Sequence, residues 1–170
     1  DQVAHHAAAA AELVDEIGAV EGVPEDIADR AVAVLAAAAD RSLDVGAFNQ
    51  AVRQTTRALD LLASCSDDEL ERSLKLTRAR AGVERRDSAI AAVDAGQVLE
   101  SAMLAGDVRQ EAIARRLIGV VAQQQGDLPR ARDELTKSVD LLRTLGPDPE
   151  LTASLGDRGF VEVFGGSLED

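Results

Sequence analysis

Hydrophobic residues recur at helical spacing in the segment 126–142. Its large apolar residues fall on one side of a helix and charged residues fall on the other: Leu128, Leu135, Val139 and Leu142. The preceding residues favour a helix start, because Gly126 suits a positive-φ position, Asp127 can cap the first turn and Pro129 needs no hydrogen-bonded N–H there. The segment therefore predicts a turn followed by one amphipathic helix.

The same periodicity predicts helices along the rest of the chain and no strand. The predicted helices cover 1–17, 24–43, 46–63, 67–81, 88–105, 108–125, 128–145 and 149–164. Ser66 and Glu69 form a capping box before the fourth helix. Asp107 and Asp148 are expected N-caps, and Pro24 is placed at the first position of the second helix. The predicted fold class is all-α.

Two segments of the chain match each other position by position. Segments 46–62 and 126–142 share a glycine, a large apolar residue, an alanine five positions after the glycine, a threonine and a final Asp-Leu-Leu. A weaker copy lies midway, where Arg86 takes the glycine position and Ala91 keeps the alanine register. The repeat length is therefore 40 residues. Small residues recur in the preceding helices at the same interval: Ala39, Ala79, Gly119 and Gly159. Such repeats are typical of stacked helical hairpins; the alternative is an ordinary helical bundle with chance similarity.

The repeat resembles the tetratricopeptide repeat in its glycine, large apolar residue and alanine, preceded at Ile118-Gly119 by a pair like the Leu-Gly of that family. The resemblance covers about residues 32–170 and implies antiparallel helical hairpins stacked as a right-handed superhelix. Two features depart from the family. The repeat exceeds the usual roughly 34 residues, and Lys75 and Arg115 occupy the positions of a large aromatic residue. HEAT and armadillo repeats have closer lengths, roughly 40 to 47 residues, but lack this glycine and alanine signature.

The resemblance implies one repeat domain over 1–170. Residues 1–23 would belong to an incomplete preceding pair, 24–63, 67–105 and 108–145 would be helical pairs, and 149–170 an incomplete last pair. The chain does not begin with methionine and its last copy stops after the repeat opening, so we expect a piece of a longer protein. We also expect an exposed apolar end face around Leu155, Phe160 and Phe164, which is a candidate homodimer contact.

The composition narrows the expected partners. Aromatic residues make up only 2% of the chain, so its core must form through close contacts between alanine-rich helices. The net charge of −13 repels phosphate backbones and anionic lipid surfaces, so neither nucleic acid nor a membrane is an expected partner. Cys65 is the only cysteine, and the sequence has neither a recognisable signal peptide nor an apolar run long enough for a membrane span. These features favour a cytoplasmic location.

No pattern of catalytic or cofactor-binding residues stands out. The sequence contains neither a phosphate-binding glycine-rich loop nor a dinucleotide-binding glycine motif. Its two histidines, His5 and His6, are adjacent on a predicted helix and point about 100° apart, which suits a single metal ion poorly. We expect no catalytic residue, no metal and no cofactor in this chain. An enzyme with an all-helical active site is the least supported alternative.

The tetratricopeptide resemblance implies a concave groove, lined by the first helices of successive pairs, that binds a protein or peptide. Its lining residues would be Asp40, Leu76, Arg80, Arg116, Val120, Gln123 and Gln124. Arg80 and Arg116 are candidates for bidentate bonds to a carboxylate or phosphate, the alternative being that they pair with neighbouring acids. The lysine and asparagine pattern with which chaperone-binding members hold a C-terminal carboxylate is absent.

The alanine-rich segment 3–48 is similar to the region that follows the ATPase module of bacterial STAND-type signalling ATPases. Some members of that class carry a nucleotide cyclase or a LuxR-type DNA-binding domain. The two resemblances imply a non-catalytic interaction or sensing module within a larger signalling or transcriptional regulator, whose partner is another protein or another domain of its own chain. A free-standing adaptor without an attached enzyme is the alternative.

Overall fold

The computed structural model of the chain describes residues 2–17, 22–24, 26–62 and 67–166. These residues form eight α-helices and no strand: α1 (Gln2–Ile17), α2 (Ile27–Asp44), α3 (Phe48–Leu62), α4 (Asp68–Glu84), α5 (Ser88–Ala105), α6 (Val108–Gln124), α7 (Leu128–Leu145) and α8 (Pro149–Gly166). The predicted all-α class is confirmed. None of these eight helices is long and apolar enough to cross a membrane.

Aspartates set the starts of several helices. The side chains of Asp87, Asp107 and Asp127 each accept a hydrogen bond from the backbone N–H three residues ahead. Asp148 caps α8 by accepting from the backbone N–H of Glu150 at 2.8 Å. Each bond satisfies one of the N–H groups that lack a partner in the first helical turn. The N-caps predicted from the sequence at Asp107 and Asp148 are confirmed.

The helices follow one another at a regular interval. Helices α3 to α7 begin at residues 48, 68, 88, 108 and 128, so each helix with its turn occupies 20 residues. Residues with positive φ follow the ends of α2, α4, α5, α6 and α7, at Gly46, Arg86, Gly106, Gly126 and Gly146. Arg86 adopts a φ of 55° at the position that glycine holds in the other copies. The 40-residue interval in the sequence thus consists of two helix-and-turn units of equal length.

The predicted start of α2 is wrong. The helix begins at Ile27 and not at Pro24, because a turn precedes it in which the backbone N–H of Ile27 donates to the Pro24 carbonyl at 3.1 Å. Ser66 lies outside the described residues, and so does the capping box predicted there. Asp67 caps α4 by accepting from the backbone N–H of Leu70 at 2.9 Å.

The chain divides into two compact units, Asp1–Ala81 and Gly82–Asp170. In the first unit α1 packs on α2, α2 packs on α3, and α1 also contacts α3. The buried core of this unit is built largely of alanine: Ala4, Ala8, Ala11, Ala31, Val32, Leu35, Ala38, Ala58, Leu61, Leu62 and Leu74. The close contacts between alanine-rich helices expected from the composition are therefore present.

In the second unit α6 contacts α5, α7 and α8. A Cβ atom on Gly119 of α6 would lie 2.7 Å from Leu135 Cγ and 3.3 Å from the carbonyl oxygen of Ala131, both in α7. Only glycine therefore allows α6 and α7 to approach this closely. Ala131 is fully buried beside this contact, and its counterparts Ala51 and Ala91 are fully buried in their own helices.

Candidate functional site

The residues predicted to line a groove lie in both units. In the first unit Leu76 is buried, Arg80 is half-buried and Asp40 is exposed. The hydroxyl of Thr77 donates to Asp40 Oδ1 at 3.3 Å, which links α4 to α2. Because its side chain is buried, Leu76 contributes to the interior and not to an open surface.

In the second unit Val120 is also buried, and Gln123 and Gln124 are half-buried. Gln124 Nε2 donates to the Val83 carbonyl at 3.0 Å. Arg116 Nε donates to a carboxylate oxygen of Asp157 in α8 at 2.6 Å, and a second nitrogen of Arg116 lies 3.4 Å from Glu150. Arg116 therefore pairs with neighbouring acids, and the groove as a whole stays a prediction.

Arg115 replaces the aromatic residue that the tetratricopeptide pattern would place in α6. Its side chain is largely buried and forms ion pairs with Glu111 at 2.9 Å and with Glu134 of α7 at 3.0 Å. Burial alone would lower the pKa of the Arg115 guanidinium, but the hydrogen bonds to the two glutamates outweigh burial and raise it. The guanidinium of Arg115 thus joins α6 to α7 through Glu134.

One side of α8 carries a continuous uncharged surface. Its seven residues recur at intervals of three and one, which places them on one helical face: Thr152, Leu155, Gly156, Gly159, Phe160, Val163 and Phe164. We call this set the α8 surface. Its large side chains are 37% exposed at Leu155, 48% at Phe160, 66% at Val163 and 56% at Phe164. The exposure expected from the sequence at Leu155, Phe160 and Phe164 is confirmed, and Val163 joins them.

The opposite side of α8 is held by buried contacts. Ser138 Oγ of α7 donates to the Ala112 carbonyl of α6 at 2.8 Å, and Ser154 Oγ of α8 lies 3.0 Å from Ser138 Oγ. Because the Ser138 proton is used on Ala112, Ser154 is the donor in the second bond. Both hydroxyls are fully buried, so the two bonds fix α8 against α6 and α7.

An ion pair fixes the first turn of α8 as well. Arg109 Nε of α6 donates to Asp148 Oδ2 at 2.8 Å while Asp148 caps α8 through its other oxygen. The hydrogen bond from Arg109, followed by the bond from the backbone, holds the pKa of the Asp148 carboxyl below its ordinary value. The α8 surface is therefore presented by a helix anchored at its start and along its opposite face.

The seven equivalent positions of α6 lie 40 residues earlier and have neighbours. As described above, Ala112, Arg115 and Gly119 of that face contact α7, and Arg116 contacts α8. A Cβ atom added to Gly156 or Gly159 of α8 would meet no atom within 4 Å. The face that is covered in α6 is therefore uncovered in α8 within the part of the chain that the structure describes.

The sequence contained a signal for the whole α8 surface. The residues from Thr152 to Phe164 at intervals of three and one include no charge, whereas Asp157, Arg158 and Glu162 fall on other sides of the helix. Leu155, Phe160 and Phe164 were expected from the sequence, and Thr152, Gly156, Gly159 and Val163 complete the face. Among the described residues, no group of three or more histidine, cysteine or acidic side chains is placed to hold a metal ion.

No protein-family model, curated protein or solved structure matches this chain. The similarity to the tetratricopeptide repeat and to signalling ATPases therefore depends on sequence patterns alone.

Proposed function

We propose that this chain is a non-catalytic interaction module of stacked helical hairpins whose α8 surface binds an amphipathic helix of a protein partner. The observation that carries the proposal is the exposed uncharged face of α8, whose counterpart in α6 is covered by α7 and α8. An exposed apolar stripe on a firmly held helix marks an interaction site, and a second helix can pack its own apolar face against it as neighbouring helices do.

Contacts between alternate helices support the stacking of hairpins. Asp40 joins α2 to α4, Gln124 joins α6 to the last turn of α4, and Arg116 joins α6 to α8. The paired residues are 37, 41 and 41 positions apart, close to one repeat length. Contacts between equivalent helices of neighbouring repeats are what a solenoid requires. The right-handed, tetratricopeptide-like superhelix is the arrangement we propose for these pairs.

The contact between α7 and α6 indicates what the partner helix must present. Leu135 of α7 sits against Gly119, and the partner therefore needs a leucine opposite Gly159. Glu134 of α7 neutralises Arg115, but Leu155 takes the place of that arginine in α8. The partner consequently needs an apolar residue where α7 has Glu134, because an unpaired carboxylate against Leu155 would be desolvated without compensation.

The cellular setting forms part of the same proposal. The similarity of segment 3–48 to the region after the ATPase of STAND-type proteins favours a module within a larger bacterial signalling regulator. In that setting the partner helix would report on the state of the protein that carries it.

A peptide based on α7 tests the proposal. The probe is a fluorescent peptide of residues 126–145 that carries Glu134→Leu, titrated with the intact chain. We expect saturable binding that Phe160→Asp weakens at least about tenfold, because a carboxylate then enters an apolar contact. The matched control is Leu104→Asp at the end of α5, where the side chain is 91% exposed and lies outside the α8 surface. This control should leave the affinity unchanged.

Two results would overturn the proposal. One is the absence of saturable binding, or equal weakening by Phe160→Asp and Leu104→Asp. The other is a dimer of the chain, seen by sedimentation, that Phe160→Asp dissociates, since a second copy would then cover the α8 surface.

A further inference from the structure

A cleft of about 370 Å³ opens in the first unit between α1, α2 and α3. Ala4 of α1 and Leu35 of α2 supply its apolar lining. Its polar wall is a stripe along α3 at positions i, i+3, i+4 and i+7: Gln50, Arg53, Gln54 and Arg57. His5 of α1 completes the lining. The cleft thus combines an apolar floor with a row of hydrogen-bond donors, a combination typical of small-molecule sites.

Two guanidinium groups, those of Arg53 and Arg57, belong to the polar wall of the cleft. Arg53 and Arg57 are one helical turn apart on the same face of α3, where two like charges repel each other. Arg57 is compensated by Glu12, whereas Arg53 is exposed and makes no ion pair or hydrogen bond with a side chain that the structure describes. An anion bound beside Arg53 would supply the counter-charge that Glu12 supplies to Arg57.

Arg57 shows how this wall accepts a carboxylate. Its Nε and Nη2 donate to the two carboxylate oxygens of Glu12 at 2.5 and 2.8 Å, a bidentate arrangement. The hydrogen bond from Arg57 lowers the pKa of Glu12, so this carboxyl is ionised near neutral pH. The third nitrogen, Nη1, lies 3.4 Å from His5 Nδ1 at the cleft. Glu12 is thus an internal carboxylate that occupies one of the two guanidinium groups.

We propose that the cleft binds a small organic acid. Arg53 holds its carboxylate beside Arg57, and its hydrocarbon part lies against Ala4 and Leu35. The volume is near the lower end of the range for small-molecule sites, roughly 300 to 1,000 Å³. One uncompensated guanidinium matches a single carboxylate, and the charge of Glu12 disfavours a phosphate dianion beside it. This ligand site is separate from the α8 surface and does not depend on the partner helix.

Titration with pentanoate, a monocarboxylate with a hydrocarbon tail, tests the site at constant ionic strength. The readout is the NMR signal of each arginine Nε–H in the intact chain. We expect saturable shifts at Arg53 and Arg57, and an affinity that falls about tenfold in Arg53→Gln, which removes a charge-assisted bond. Glu12→Gln should raise the affinity, because it removes the competing carboxylate. Arg130→Gln, at an exposed position of α7, is the control that should change neither.

Three results would contradict the assignment. Equal shifts at all arginines would show charge screening and not a site. Saturable shifts with inorganic phosphate but none with pentanoate would exclude a carboxylate ligand. An affinity for pentanoate that is the same in Arg53→Gln as in the unaltered chain would exclude the cleft. None of these results bears on peptide binding by the α8 surface, so the two proposals can fail separately.

Discussion

Gly119 and Gly159 occupy equivalent positions 40 residues apart, but their surroundings differ. The first lies against Leu135 and the carbonyl of Ala131, while the second faces open space on the α8 surface. The same substitution should therefore have opposite effects at the two positions. Comparing the two positions separates the free-energy cost of overpacking between helices from the helix propensity of the substituted residue.

The first prediction compares alanine at these positions. Gly159→Ala should raise the free energy of unfolding by roughly 0.5 to 1 kcal/mol, because alanine favours the helix and restricts the unfolded chain. Gly119→Ala should lower it by up to about 2 kcal/mol, since overpacking costs about 1 to 3 kcal/mol against a similar helix gain. Urea unfolding of both variants provides the measurement. A shift in the same direction for both would show that the contact between α6 and α7 is looser than described.

The second prediction concerns Arg86, whose φ of 55° places it in the left-handed region. Arg86→Gly should stabilise the chain by roughly 0.5 to 1 kcal/mol, because a side chain with a Cβ is strained in that conformation. Gly126→Ala is the matched reverse change, at a φ of 82°, and should destabilise by about 1 kcal/mol. Thermal unfolding of the two variants decides the question. A destabilised Arg86→Gly variant would mean that the arginine side chain contributes more than its strain costs.

At the scale of the helices, the fixed position of α8 depends on Asp148 as well as on buried serines. Asp148 accepts from the first turn of α8 and from Arg109 of α6, so one carboxylate both starts the helix and attaches it. Because its pKa is lowered in the folded chain, the bonds to this carboxylate add stability above its ordinary pKa of about 4. That stability is lost as the pH falls through the lowered folded-state value.

The third prediction follows from this loss of stability at low pH. Asp148→Asn keeps a capping side chain but removes the charge that pairs with Arg109. At pH 7 the unaltered chain should be the more stable of the two, and the difference should shrink as the pH falls below about 4. The urea midpoints of both proteins, measured across this range, give the result. A difference that does not depend on pH would show that neither Arg109 nor the backbone N–H of Glu150 favours the ionised carboxyl.

The starts of helices could be predicted because they depend on residues close in the sequence. Asp107 and Asp127 cap helices whose first N–H groups lie three residues away. Pro24 misled the prediction because proline suits a pre-helical turn as well as the first turn of a helix. The burial of Leu76 and Val120 could not be read from the resemblance, since it depends on how neighbouring helices cover them.

The cleft was beyond sequence reasoning for the same reason. Arg57 contacts Glu12 and His5, which lie 45 and 52 positions earlier in the sequence. The local sequence of α1 does not indicate that contact. Only the stripe of Gln50, Arg53, Gln54 and Arg57 was visible, and such a stripe on a surface helix is ordinary. The position of α1 beside α3 turns the stripe into the wall of a cleft.

At the scale of the whole molecule, each compact unit carries one candidate binding feature. The first unit has the cleft with two arginines, and the second has the uncharged α8 surface. The regular spacing of the helices explains why the α8 surface exists. The face that α6 uses for packing recurs in α8, where Leu155 and Gly156 replace Arg115 and Arg116. The partner expected for this face is therefore a helix like α7 and not an irregular peptide.

The most direct test of helix docking is to observe the contact in the complex. Intermolecular nuclear Overhauser effects should join the methyl groups of Val163 and Leu155 to the α7-based peptide, and its leucine at position 135 should lie nearest Gly159. The methyl groups of Leu104 on α5, which are more exposed than those of Val163 and Leu155, should show none. Contacts at Leu104, or contacts spread over other exposed apolar side chains with none at Val163, would contradict the account.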